Sequence, residues 1–234
     1  MSKTKKAVII GSVLVGIGVI IGFIGIAIGG FKFPNGAVDL TTMKALHAEK
    51  KTVQIADAFD KIEIAGASSM DIEICKSKTG KNYVEYYDTD DWTSHVDVKE
   101  HVLKFTTDDK GKHKAVVSLG FGKDTTARLY LADAEYKEIS VTTLSGYVTI
   151  QDVNAETVNV SASSGDIDLE RCDAEGFDIT TSSGDVDMEI TAGRTYRFET
   201  KTNSGDVDVP DGDADSGYLC KIVTSSGDVD VKQK

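Results

Sequence analysis

Cysteine, histidine and positive charge are all scarce in this 234-residue chain, and each scarcity removes a class of function. Cys75, Cys172 and Cys220 are an odd number without CxxC spacing, so they supply neither a zinc-ligand set nor a full disulfide framework. His47, His95, His101 and His113 show no ligand spacing and read as structural or surface residues. No cysteine stands directly after the apolar N-terminal run, which excludes anchoring by a lipid on an N-terminal cysteine. Lys and Arg number 26 against 38 Asp and Glu, a net charge of -12. Four of the lysines (Lys3, Lys5, Lys6, Lys32) precede residue 33, so the remainder holds 22 basic against 38 acidic side chains, a charge of -16. Such a surface repels phosphate backbones and anionic headgroups, which argues against nucleic acid and direct lipid-surface binding.

The chain has a single long apolar run. Residues 7–31 carry no charged side chain, and at 1.5 Å per residue they span the roughly 30 Å hydrocarbon layer as a helix. The expected organisation is a cytoplasmic tail at 1–6, a transmembrane helix at 7–31, a juxtamembrane linker or short helix at 32–52 and an outer domain from residue 53. Lys3, Lys5 and Lys6 favour a cytoplasmic N-terminus by the positive-inside rule. A cleaved secretory signal ending at Ala27-Ile28-Gly29 is the alternative, although the run exceeds the usual apolar core of a signal. Gly11, Gly18, Gly22, Gly25 and Gly29 fall on one helical face with two GxxxG units, a groove that suits a partner transmembrane helix.

Beyond Val53 the pattern is period two, in short strands carrying Phe59, Ile62 and Ile64, then Met70, Ile72 and Ile74, then Tyr83, Val84 and Tyr86, and later Leu103 and Phe105. From residue 139 an internal repeat takes over: VTTLSGYVTI, VSASSGDIDL, TTSSGDVDMEI, TKTNSGDVDV and VTSSGDVDV. The central glycines Gly146, Gly165, Gly184, Gly205 and Gly227 are 19, 19, 21 and 22 residues apart. Apolar residues sit seven and five before each glycine and two after it; the fourth copy breaks this with Thr200. Each unit reads as strand, Ser-Gly corner, strand and polar connector. One unit cannot bury its own apolar face, whereas stacked units share a core. The expected fold is all-β, a parallel β-helix (solenoid) with coils of about 20 residues over 53–234, with an antiparallel sandwich of hairpins as the alternative. The last copy is expected at an open end, where Asp228, Asp230, Lys232 and Lys234 would deter stacking of further strands.

The stretch AFDKIEIAGASSMDIEI and the repeated SGD[VI]D units resemble the bacterial putative-adhesin family of β-strand-repeat domains. That resemblance implies an exported or membrane-anchored β-solenoid of unknown biochemical function, and it transfers no catalytic residue.

Three chemistries are candidates. Asp166, Asp185, Asp206 and Asp228 should form one outward column, and Asp168, Asp187, Asp208 and Asp230 a second, suited to divalent cations or a basic partner. Carboxylates about 4.8 Å apart in such a column repel by about 0.9 kcal/mol per pair in water, unless they serve as caps accepting corner N–H groups. Asp211, Asp213 and Asp215 resemble the opening of a calcium loop, but Ser216 and Ile222 stand where its glycine and bidentate glutamate belong. This leaves weak Ca2+ as the one cofactor to consider. Trp92 with Tyr83, Tyr86 and Tyr87 could line a carbohydrate patch, with core packing as the competing explanation. Cys220 occupies an inward position; Cys172 lies in a connector and is expected to be exposed. Repeated aspartates without Lys, Arg or His among them argue against a polysaccharide-cleaving enzyme. The expected function is a non-enzymatic binding, adhesion or scaffold module at the bacterial envelope, with an unknown envelope or surface ligand. Alternatives are a membrane-tethered accessory in envelope-stress signalling, working through the helix, and a divalent-cation-binding surface module.

Overall fold

The computed structural model describes residues 37–39, 44–45, 48–66, 70–89, 92–109, 116–118, 126–132, 135–191 and 193–234. The expected tail, transmembrane helix and its glycine face, Gly11, Gly18, Gly22, Gly25 and Gly29, lie outside the described residues. Among the described residues no helix is long and apolar enough to cross a membrane. The described residues contain strands and turns and no helix, so this part of the chain is all-β as expected.

In chain order the strands are β1 Ala37–Asp39, β2 Lys44–Ala45, β3 Ala48–Ile55, β4 Lys61–Ala65, β5 Ile72–Lys76, β6 Asn82–Thr89, β7 Trp92–Lys99, β8 Val102–Asp109, β9 Val116–Ser118 and β10 Ala127–Leu131. The repeat region supplies β11 Glu135–Ser145, β12 Val148–Gln151, β13 Asn154–Ser164, β14 Ile167–Thr181, β15 Val186–Ile190, β16 Arg197–Lys201, β17 Val207–Asp208, β18 Leu219–Val223 and β19 Val229–Gln233. Residues 32–52 were expected as linker or short helix, but they are strand wherever they are described. β1, β2 and β9 form a small antiparallel sheet in a separate unit.

The main unit has two rows of strands. One runs β3-β6-β10-β5-β12-β14-β15-β19-β17 and the other β7-β8-β4-β11-β13-β14-β18-β16; β14 turns from the first row into the second at Arg171. From β5 and β4 onward neighbouring strands are parallel, with equivalent residues of the repeat copies set in register. Alternate residues turn inward to one core. Ile139, Val141, Val148, Val158, Val160, Ile167, Phe177, Ile179 and Val186 are buried in the positions that the repeat pattern assigns. The two rows face each other directly, as the edge-on contact between Tyr86 of β6 and Phe105 of β8 shows, with ring centroids 5.6 Å apart.

Two features depart from a uniform parallel stack. At the N-terminal end β3 pairs with β6, β6 with β10, and β7 with β8, all antiparallel. For β7 and β8 the cause is local: they are joined by Glu100-His101 alone, both at positive φ (52° and 64°), and a two-residue connection permits only a hairpin.

The second departure is in coil order. β18 lies between β14 and β16, and β19 lies between β15 and β17. The fifth copy of the repeat therefore slots between the third and the fourth, and the fourth forms the outer coil. This corrects the expectation that the last copy is an open end guarded by Asp228, Asp230, Lys232 and Lys234. The physical reason is core composition. The inserted copy brings Cys220, Ile222, Val229 and Val231, all buried, whereas the fourth brings Phe198, Thr200 and Val207, of which Val207 is 42% exposed. Placing the copy with an inward threonine outermost leaves the better apolar set covered on both sides. The outer strand β16 alternates Arg197, Glu199 and Lys201 outward, charges that blunt an exposed edge.

Candidate functional site: the Ser-Gly-Asp corner ladder

The glycines of the repeat stack directly on one another. Gly146, Gly165, Gly184, Gly205 and Gly227 all have φ between +112° and +145°, a region closed to L side chains. A Cβ on Gly165 would sit 2.2 Å from the carbonyl oxygen of Gly146, and one on Gly227 would sit 2.1 Å from that of Gly184. Glycine is thus required for both conformation and clearance.

Each step of the ladder outward from Gly165 uses three kinds of bond. The N–H of Gly184 donates to the Ser226 carbonyl at 2.9 Å, and that of Val186 donates to the Asp228 carbonyl at 2.9 Å. The third bond uses the aspartate side chain: Asp185 N–H donates to Asp166 Oδ1 (2.9 Å), Asp228 N–H to Asp185 Oδ1 (2.8 Å) and Asp206 N–H to Asp228 Oδ1 (2.8 Å). The column therefore runs Asp166, Asp185, Asp228, Asp206, and the first three carboxylates act as caps on the corner backbone. Buried threonines seal the inner side, with Thr143 Oγ1 donating to the Ser145 carbonyl and Thr224 Oγ1 to that of Gly184.

The ladder has a rung that the repeat analysis missed. Asp71 Oδ1 accepts the Tyr147 N–H at 2.9 Å, and the Met70 carbonyl lies beneath Gly146 as each glycine carbonyl lies beneath the next glycine. The sequence SSMDIEI at 68–74 matches SSGDVDM at 182–188 in all but the glycine and conservative changes, and that likeness was the available signal. Tyr147 occupies an aspartate's place. With Leu144 it stands outside the corner, 59% and 61% exposed.

The second column runs Asp168, Asp187, Asp230, Asp208 by register. Partial burial, then the carboxylates of Glu170 and Asp187, raise the pKa of Asp168 above the ordinary carboxylate value. Burial, then Asp230 and Asp185, do the same for Asp187. Lys232 Nζ reaches Asp230 at 2.8 Å. Among the described residues no three His, Cys, Asp or Glu side chains gather as a metal-binding cluster. Asp211, Asp213 and Asp215 do not converge either. Asp213 Oδ1 accepts the Asp215 N–H (2.9 Å), Asp213 N–H donates to the Tyr196 carbonyl (3.0 Å), and Ser216 Oγ donates to that of Thr195 (2.5 Å), which makes an ordinary polar turn.

The opposite corner, between β12 and β13 and within β14, stacks Arg171 on Asp152. Both are at positive φ, and the guanidinium is bidentate to the carboxylate at 2.7 and 3.0 Å. That pairing, chiefly the hydrogen bond, holds the Asp152 carboxyl below its usual value. Cys172, expected to be exposed, is buried beside this corner with its thiol donating to the Ile150 carbonyl, and burial pushes its pKa up to about 12. Cys220 is buried as expected and is likewise pushed up to about 12. The aromatic residues near β6 and β7 are used in packing: Tyr83 stacks on Tyr130 at 4.4 Å, Tyr86 is buried, and the Trp92 indole N–H donates to the Tyr87 carbonyl.

These features define a class: all-β proteins built from stacked strand repeats whose recurring polar residues serve the corners of the stack. Within that class, the chain belongs to the Toastrack DUF4097 family, whose match covers residues 59–234. No curated protein matches it. Among solved structures it is similar to a putative cell adhesion protein from Clostridium sporogenes, at 14% identity and a TM-score of 0.59, covering 80% of this chain and 100% of that one. Putative adhesins from Bacteroides fragilis (14% identity, TM-score 0.38, 80% and 97% covered) and Parabacteroides distasonis (13%, 0.32, 80% and 93%) share less of the geometry.

Proposed function

We propose that this chain is a non-enzymatic binding or scaffold module of the bacterial envelope: a β-solenoid tethered by a single apolar span at residues 7–31, with the repeat domain outside the membrane. The observation that carries this reading is the corner ladder. The carboxylates of Asp166, Asp185 and Asp228 are engaged with backbone N–H groups at 2.8–2.9 Å, so aspartate at the position after the corner glycine is accounted for by architecture. A rigid, acidic, repeat-built surface suits recognition by shape and charge. The structural likeness to a protein named as a putative cell adhesion protein agrees with this use. Lys3, Lys5 and Lys6, ahead of the apolar run, favour the outward placement.

The test is proximity labelling from a tag at the C-terminus of the full chain in living cells. Envelope proteins or polymers among the labelled species are the expected result; labelling confined to cytoplasmic proteins would overturn the placement and with it the proposed role.

A further inference from the structure

The non-sequential coil order creates a slot. Its floor is β15 and the second half of β14; its ceiling is β16 and β17. Floor and ceiling are both complete by Asp208, yet the coil that fills the slot, β18 and β19, follows a further ten residues on. Until that coil enters, the floor and the ceiling each expose a strand edge with unpaired N–H and C=O groups, a double template for strand addition. The filling coil is matched on both sides. Phe177 and Phe198 flank Cys220, Ile179 and Thr200 flank Ile222, and Val186 and Val207 flank Val229. Its corner accepts and donates in the ladder in both directions.

The segment linking ceiling to filling coil, residues 209–218, is mostly exposed and contains Gly212 and Gly217. Its contacts with the rest of the unit include the bonds of Asp213 and Ser216 to the Tyr196 and Thr195 carbonyls. A tether of this length and exposure joins an element whose entire contact set is available in a second copy, the condition under which exchange between chains is inexpensive.

We propose that the slot is an interaction site for a second copy of this chain, which inserts its own residues 219–233 in place of the resident coil. The two chains exchange reciprocally, with residues 209–218 acting as the hinge. The exchanged state preserves every slot contact and changes only the hinge, so its population rises with protein concentration and it interconverts with monomer on the slow timescale of unpairing two strands on both edges.

The experiment uses the full chain with Cys75→Ser, Asp178→Cys and Lys221→Cys. Asp178 and Lys221 are direct register partners on the outer face, with the Lys221 ammonium 3.0 Å from the Asp178 carboxylate, and neighbouring parallel strands are close enough for a disulfide. The protein is unfolded, refolded at 5 and at 500 μM, then oxidised and run on a non-reducing gel. The expected result is a within-chain link at low concentration and covalent dimer at high concentration. A within-chain link alone at both concentrations overturns the proposal, even if dimers are found by other means, since those would use another surface. The unsubstituted chain, refolded at the same two concentrations and sized by light scattering, provides the second measurement: a species that stays monomeric at 500 μM is equally fatal to it.

Discussion

The N–H of Asp228 donates to Oδ1 of Asp185 across 43 residues of sequence, although the intervening repeat carries an equivalent aspartate at Asp206. Asp206 instead sits one level further out and donates its own N–H to Asp228. This pair of bonds fixes the order of the last three coils, and with it which copy of the repeat is covered and which is exposed.

Mutational cost should follow that order. Ile222→Thr places a hydroxyl in a fully buried site and removes apolar volume, a loss of about 3 kcal/mol, whereas Thr200→Ile on the outer coil should change stability by less than about 0.5 kcal/mol. Urea denaturation of the two variants measures both. If the coils stacked in sequence order, Ile222 would be outermost and its substitution would be the mild one.

Corner glycines should divide sharply from other glycines. Gly227→Ala drives a Cβ to 2.1 Å from a backbone oxygen at a φ of +145° and should cost about 3 kcal/mol or more. Gly80→Ala, at a φ of +66° with nothing within 4 Å, carries only the left-handed penalty of about 1 kcal/mol. Equal losses in the two variants would contradict the stacked corner.

The carboxylates should respond to pH in two opposite ways. Asp168 and Asp187 titrate above their ordinary value, so the folded state holds protons that the unfolded chain has lost, and stability declines as pH rises through the carboxylate range. Asp168→Asn and Asp187→Asn should therefore raise the melting temperature at pH 7 and lose that advantage towards pH 4. Asp152 is held below its usual value by Arg171; its contribution is present at neutral pH and fades as pH falls through the lowered value. Asp152→Asn keeps a residue suited to positive φ, and should melt lower than the parent at pH 7 and equal to it near pH 2. Calorimetry across pH distinguishes the two groups, and parallel slopes would sink the assignment.

Thiol chemistry should report the burial directly. Cys172 and Cys220 are buried with pKa values pushed up to about 12, and half-buried Cys75 is pushed up to about 11. Because the thiolate is the reactive form, native protein at pH 8 should react with a disulfide reagent slowly at Cys75 and not at the other two, with all three reacting in denaturant. Fast labelling of Cys172 in native protein would place it in an exposed connector.

Much of the fold was written in local pattern. Alternation marked β4 to β8 and the inward residues of the repeat, and the recurring Ser-Gly-Asp spacing marked the corners, because side-chain direction in a strand and the backbone demand at a glycine corner are local properties. The rung at Met70-Asp71 was readable in SSMDIEI but lacked the glycine that made the others conspicuous. The helix former-rich stretch before Val53 became strand from Ala48 because β6 offered an edge across eight register pairs, and tertiary pairing overrides propensity.

By itself the sequence determined the class of strand, the corner and the direction in which the alternating side chains of the repeat point. The order of coils was decided only in three dimensions. Residues 204–209 and 226–231 are the same hexapeptide, SGDVDV, so nothing in the corner tells the two copies apart. What separates them is the pair of inward positions before each glycine, Phe198 and Thr200 in one copy and Cys220 and Ile222 in the other. That difference gains free energy only when the whole stack chooses which of the two to cover, since burial is a property of the assembled core and not of the segment.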